Sequence, residues 1–195
     1  MIVYHGSPEL FDKFDLSKVG ESTGIKYGIG VNTAEAEATA VHYSQPRHQP
    51  LTKDHYLYTV EIPDLTDDNH LISARPVNPA IVQRTEAKLG KSVPKEETEF
   101  GRLFRKWVGR TLTGAKKSGF VEEKAAAQFL DSIGVVCNLW PRDQQNFDSP
   151  KNYVVFNPDR VRILKVEHID IMKKDKKNVL VSKDSRKVVW EFNGE

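Results

Sequence analysis

The alternation of apolar and polar positions divides the chain into short strands with a helical block between them. Tyr56, Tyr58, Val60 and Ile62 alternate with Leu57, Thr59 and Glu61, the two-residue period of a strand, and Pro63 ends it. Phe100, Leu103, Phe104, Trp107 and Val108 fall at i, i+3, i+4, i+7 and i+8, one apolar helical stripe, while Arg102, Arg105, Lys106 and Arg110 form a basic stripe beside it. This helix is expected to pack inward and to show its cations to solvent. Val121, Ala125, Phe129 and Ile133 predict a second helix that Gly134 closes as a left-handed cap, followed by an apolar strand from Val135 to Leu139.

Further strands are expected at Ile2-Val3-Tyr4, at Val31 after the Gly28-Ile29-Gly30 turn, and at 153–156, 161–166 and 179–181. A polar stretch separates the first strand from Tyr27. A short helix should follow Val31, with Thr33 as its cap, Glu35 and Glu37 at its positive end, and alanines at positions 34, 36, 38 and 40 propagating it. Strands in two clusters around a helical block predict an α+β fold rather than an alternating parallel sheet.

Composition narrows the class. A chain of 195 residues, 38% apolar and 29% charged, with nine Phe, six Tyr and three Trp, suffices for one cored domain and excludes a largely disordered protein. No repeat or low-complexity tract interrupts it. The single Cys137 excludes an internal disulfide and a zinc cluster, so no metal is expected. The start has no basic region leading into an apolar run, and nowhere do 18 apolar residues run together, so the chain is read as cytoplasmic and without a membrane partner. The formal charge of +2 does not announce a nucleic-acid binder, yet residues 100–120 hold six cations and no carboxylate. The lysines at 173, 174, 176 and 177 read as a solvated hairpin turn before Val179.

Three motifs carry candidate chemistry: Tyr4-His5-Gly6-Ser7 at the end of the first strand, Tyr27-Gly28-Ile29-Gly30-Val31 leading into a helix that ends Ala40-Val41-His42-Tyr43, and Asn152-Tyr153-Val154-Val155-Phe156 in a late strand. Their order and spacing resemble the ADP-ribosyltransferase superfamily, in particular the diphtheria-toxin and poly(ADP-ribose) polymerase branch and the small domains of phage polyvalent proteins and bacterial toxins. The spacing from Gly28 to Tyr43 matches the polymerase pattern without a gap, and the resemblance spans roughly residues 2–165. It implies a split two-sheet β core with a helical insertion over residues 1–166, with residues 167–195 as a basic β-hairpin extension packed on the same domain.

The resemblance further implies that NAD is the donor substrate. His5 would hydrogen-bond its adenosine ribose, the Gly6 backbone would hold the nicotinamide amide, Gly30 would lie at the cofactor, and Tyr43 would stack on the nicotinamide ring. Ala40 stands where the family has Ser or Thr. Asn32 and Asn152 stand where the family's catalytic triad has Tyr and Glu, so an amide replaces the carboxylate that would stabilise an oxocarbenium-like centre, and an amide cannot act as a general base at neutral pH. Asp143 and Asp148 are the carboxylates nearest to Asn152 on the 140–151 loop, which by family position reads the acceptor through Arg142, Gln144, Gln145, Asn146 and Phe147.

The implied activity is mono-ADP-ribosylation of a macromolecule. Poly-ADP-ribose elongation is not expected. Nucleic acid, as RNA or a single strand contacted by Arg102, Arg105 and Arg110, is favoured over protein as acceptor. A toxin or phage effector of this kind would be matched by an antitoxin or inhibitor protein. The alternatives are a degenerate transferase fold used as a binding module, and an NAD glycohydrolase.

Overall fold

A computed structural model describes residues 1–18, 25–45 and 54–192. Residues 19–24 of the polar stretch before Tyr27 and the last three of the C-terminal extension lie outside the described residues. In chain order the elements are β1 (Ile2–Ser7), β2 (Val31–Ala34), α1 (Glu37–Tyr43), β3 (Tyr56–Glu61), β4 (His70–Ile72), α2 (Pro79–Leu89), α3 (Lys95–Thr98), α4 (Gly101–Thr113), α5 (Phe120–Ser132), β5 (Cys137–Asp143), β6 (Asn146–Val155), β7 (Arg162–Ile169), β8 (Ile171–Lys174), β9 (Lys177–Leu180) and β10 (Arg186–Glu191). The fold is α+β, with four helices inserted between β4 and β5.

Eight strands form one sheet in the order β10-β7-β3-β1-β2-β6-β5-β4, antiparallel except for β4 beside β5. The core is therefore one laddered sheet rather than two separate ones. Its weak point is the β1–β2 junction, where a single residue pair, Tyr4↔Ala34, joins the two strands, while β1 pairs with β3 along its whole length. Beyond Tyr4 the residues His5 to Ser7 have no ladder partner on the β2 side, and the two strands splay.

Alternation along each strand sends side chains to two faces. Val3, Tyr58, Val60, Tyr153, Val155 and Val166 form one core cluster, closed by Phe11 and Phe14 of the segment after β1. On the other face Val154 and Phe156 pack under α4 and α5 through Phe104, Val108 and Leu130, and α1 covers β1 through Ala40 and Val41. A Cβ built on Gly6 would overlap the Ala40 carbonyl, so α1 lies close against β1 because residue 6 has no side chain. β7 runs through residues 166 and 167, and β10 pairs with it in the main sheet.

Several local expectations give way to tertiary pairing. Thr33 does not cap a helix: it belongs to β2, and α1 begins only at Glu37 after an Ala36 with no side-chain cap. Pairing with β6 continues through Glu35, whose N–H donates to the Lys151 carbonyl at 2.9 Å, and this ladder overrides the helical preference of the alanines. The 140–151 loop is instead a β5–β6 ribbon, with Trp140 opposite Asn152, Pro141 opposite Lys151 and Asp143 opposite Asn146. Its outer half alternates exposed polar residues and offers no apolar period to read.

The basic stripe of α4 is corrected most. Arg105 has no exposed surface: its Nε donates to Glu123 Oε2 of α5 at 2.6 Å, and its Nη2 donates to the Lys26 carbonyl at 3.2 Å. Arg110 pairs with Glu97 at 2.8 Å. The carboxylates missing from the 100–120 segment are supplied by its neighbours in space. Arg102 remains exposed, its guanidinium over the Phe100 ring at 4.7 Å.

Candidate functional site

The splayed junction brings together residues far apart in the chain. His5 reaches across it, and its Nδ1 donates to the main-chain carbonyl of Asn32 at 2.7 Å. The ring is half-buried, edge-on to Phe14 at 5.1 Å and to Tyr58 at 5.9 Å. Burial among these rings, opposed by the bond to Asn32, lowers the His5 pKa below its ordinary 6.5. The imidazole is therefore neutral at pH 7. With Nδ1 carrying the proton, Nε2 is a lone-pair acceptor that makes no hydrogen bond with a described residue.

Register places Asn32 and Asn152 on one face. Ala34 is paired with Asn152, and Asn32 lies two residues along β2 from Ala34, so the two asparagines are diagonal neighbours about 7–8 Å apart. Asn152 is only 8% exposed, yet neither carboxamide hydrogen-bonds a described residue. By the same alternation the side chain of His5 belongs to the opposite face, and it meets Asn32 only because the strands part between them.

An aromatic stack borders the asparagines. Trp140 is the cross-strand neighbour of Asn152, and Tyr27 lies on it with ring centroids 3.8 Å apart and planes 2° from parallel. Gln144 donates from Nε2 to the Tyr27 hydroxyl at 3.0 Å, and Asn138 holds the Tyr27 carbonyl at 2.9 Å. The buried Arg105 grips the preceding residue, Lys26, and packs against Gly28. Arg105 is thus a positioning residue for the turn that enters β2 rather than an acceptor contact.

The other expected residues have different surroundings. Tyr43, at the end of α1, is 63% exposed, its ring 4.9 Å from that of His42. A Cβ on Gly30, whose φ is +159°, would overlap the Val155 carbonyl, so this glycine serves the close approach of β2 to β6. Gln145 is exposed at the ribbon tip, where its N–H donates to Asp143 Oδ1 at 3.0 Å. The Phe147 ring packs on the first core cluster and carries Arg75 and Lys151 at 4.9 and 5.0 Å, so it is not a free stacking surface. Asp148 lies four residues along β6 from Asn152, about 13 Å at the rise of an extended strand, and cannot replace the missing charge there.

Glu35 is the carboxylate that sequence reasoning missed. Its Oε2 accepts from the Lys151 N–H at 2.7 Å, and its Oε1 accepts from the Tyr153 hydroxyl. Burial, and then the bond to Glu35, push the Tyr153 pKa up, so this phenol stays a donor. Glu35 therefore braces the two residues on either side of Asn152 from the opposite face, Lys151 by its main chain and Tyr153 by its hydroxyl. Its only signal in the sequence is its place one residue after Ala34, which no periodicity distinguishes.

No family model, curated protein or solved structure matches this chain. Among the described residues, no group of three or more His, Cys, Asp or Glu could hold a metal, and no helix is long and apolar enough to cross a membrane. What the site offers is two carboxamides that bond no described residue, a neutral imidazole acceptor and a strand edge that β2 leaves unpaired. That set suits hydrogen bonding to hydroxyl and amide groups of a ligand, and among the described residues it includes no carboxylate assigned to general-base work.

Proposed function

We propose that the protein is an NAD-dependent mono-ADP-ribosyltransferase acting on a macromolecule, with its site at the splayed β1–β2 junction. The observation that supports this reading is the pair of carboxamides of Asn32 and Asn152 on one face, neither hydrogen-bonded to a described residue, beside a strand edge that β2 leaves unpaired at His5 and Gly6. The open edge suits the amide of nicotinamide, and the His5 Nε2 suits a ribose hydroxyl. In the reaction the bond from ribose C1 to the nicotinamide nitrogen breaks, nicotinamide leaves with the electron pair, and the acceptor bonds to C1 and gives a proton to solvent. Asn152 contributes a dipole rather than a charge to the electron-poor carbon, and this weaker stabilisation favours single transfer over chain elongation.

Incubation with adenylate-labelled NAD and a cell lysate should label a macromolecule, with Asn152→Ala reducing transfer while leaving NAD binding nearly intact. His5→Ala and Tyr43→Ala should each weaken NAD binding by about 1–3 kcal/mol, roughly tenfold to a hundredfold. Free nicotinamide without a labelled product would instead identify water as the acceptor. A second reading, a non-catalytic binding module, is favoured by the amides at both triad positions. It predicts NAD binding with neither label nor nicotinamide release.

A further inference from the structure

We propose that the tip of the β8–β9 hairpin is a binding surface for single-stranded nucleic acid. Lys173, Lys174, Lys176 and Lys177 are all exposed, with Asp175 the one acid between them, and none of the four forms an ion pair with a described residue. Lys174 and Lys177 face each other directly across the ladder. Like charges in that position weaken a hairpin. Both central turn residues, Asp175 and Lys176, have positive φ, 49° and 63°, a geometry that Asn and Gly suit better than Lys. Folding alone therefore does not account for these lysines, whereas a row of phosphates does.

The hairpin also has an apolar contact and a fixed place. On its outer face the pair Met172↔Val179 adjoins the pair Lys174↔Lys177, and Met172 is 46% exposed, so an apolar patch for a base lies beside the charges for its backbone. The buried Asn178, next to Lys177, donates to the His42 carbonyl at 3.2 Å in the last turn of α1. That bond fixes the tip beside Tyr43. The choice of a single strand rests on the transferase reading above, because a base inside a duplex cannot reach a reacting ribose without being flipped out of the stack.

Binding of a fluorescein-labelled single-stranded oligonucleotide to the full chain, followed by anisotropy without NAD, tests the proposal. Four lysines on four phosphates add about 2.8 to the slope of log affinity against log salt, so their share of binding falls about 50-fold between about 50 and 200 mM salt. Replacing all four by Gln should remove that share, and replacing them by Arg should keep it. Lys116→Gln with Lys117→Gln should leave binding unchanged. An unaltered affinity and slope in the Gln variant would overturn the proposal, as would equal binding of duplex, or binding of phosphatidylserine vesicles with none of oligonucleotide. Lysine-dependent binding in a protein that labels no acceptor would uphold the hairpin surface and refute the transferase reading.

Discussion

Glu123→Ala leaves the Arg105 guanidinium buried without its counter-charge. Arg105 has no exposed surface and Glu123 only 2%, and Nε to Oε2 is 2.6 Å, so solvent cannot replace the lost carboxylate without opening the α4–α5 contact. Among the described residues one Arg105 nitrogen, Nη1, already has no hydrogen-bond partner, and Nη2 would keep only the Lys26 carbonyl. Breaking such a pair from one side costs about 3–5 kcal/mol. For a chain of this size each kcal/mol moves Tm by roughly 2–4 °C, so Glu123→Ala should melt about 6–20 °C lower, as followed by circular dichroism. Arg105→Met combined with Glu123→Leu removes both charges and fills similar volume, and should recover most of the loss. The two sites are thus expected to be strongly non-additive. A Glu123→Ala protein melting as wild type does would refute the buried pair and restore Arg105 to the surface.

Because burial lowers the His5 pKa below 6.5, the unfolded state binds the proton more readily than the folded state. Its contribution to stability is present above pH 6.5 and is lost as pH falls through the folded value, and His5→Gln should flatten that acid limb in denaturant titrations between about pH 7 and 5. Cys137 is fully buried and its thiol is pushed up to about 12, so the native protein should resist a thiol reagent and react fully once unfolded; rapid native reaction would contradict its place in the core. Asn152→Glu places a carboxylate beside the proposed reacting carbon and should raise nicotinamide release at least about tenfold, read by chromatography; an unchanged rate would remove Asn152 from the chemistry.

The strongly periodic elements were legible in the chain itself. The α4 stripe, the alternation of β3 and the left-handed Gly134 that follows α5 each depend on neighbours within a few residues, where local geometry and apolar spacing suffice. The α+β class followed from their order. The site was legible only as three motifs, because the contacts that make it one place run between residues remote in sequence.

Only the tertiary structure decided which residues share a face and which charges are spent inside. Arg105 looks like its neighbour Arg102 in the sequence, and it becomes a buried structural cation because α5 delivers Glu123 to it. Positions 34 and 35 read as helix and are drawn into a ladder instead, because Lys151 offers Glu35 both a carbonyl and an N–H. The asparagines converge through strand register, and His5 reaches Asn32 because β1 and β2 are joined by one residue pair only. Register and splay depend on every strand of the sheet at once, and no window of sequence contains that sum.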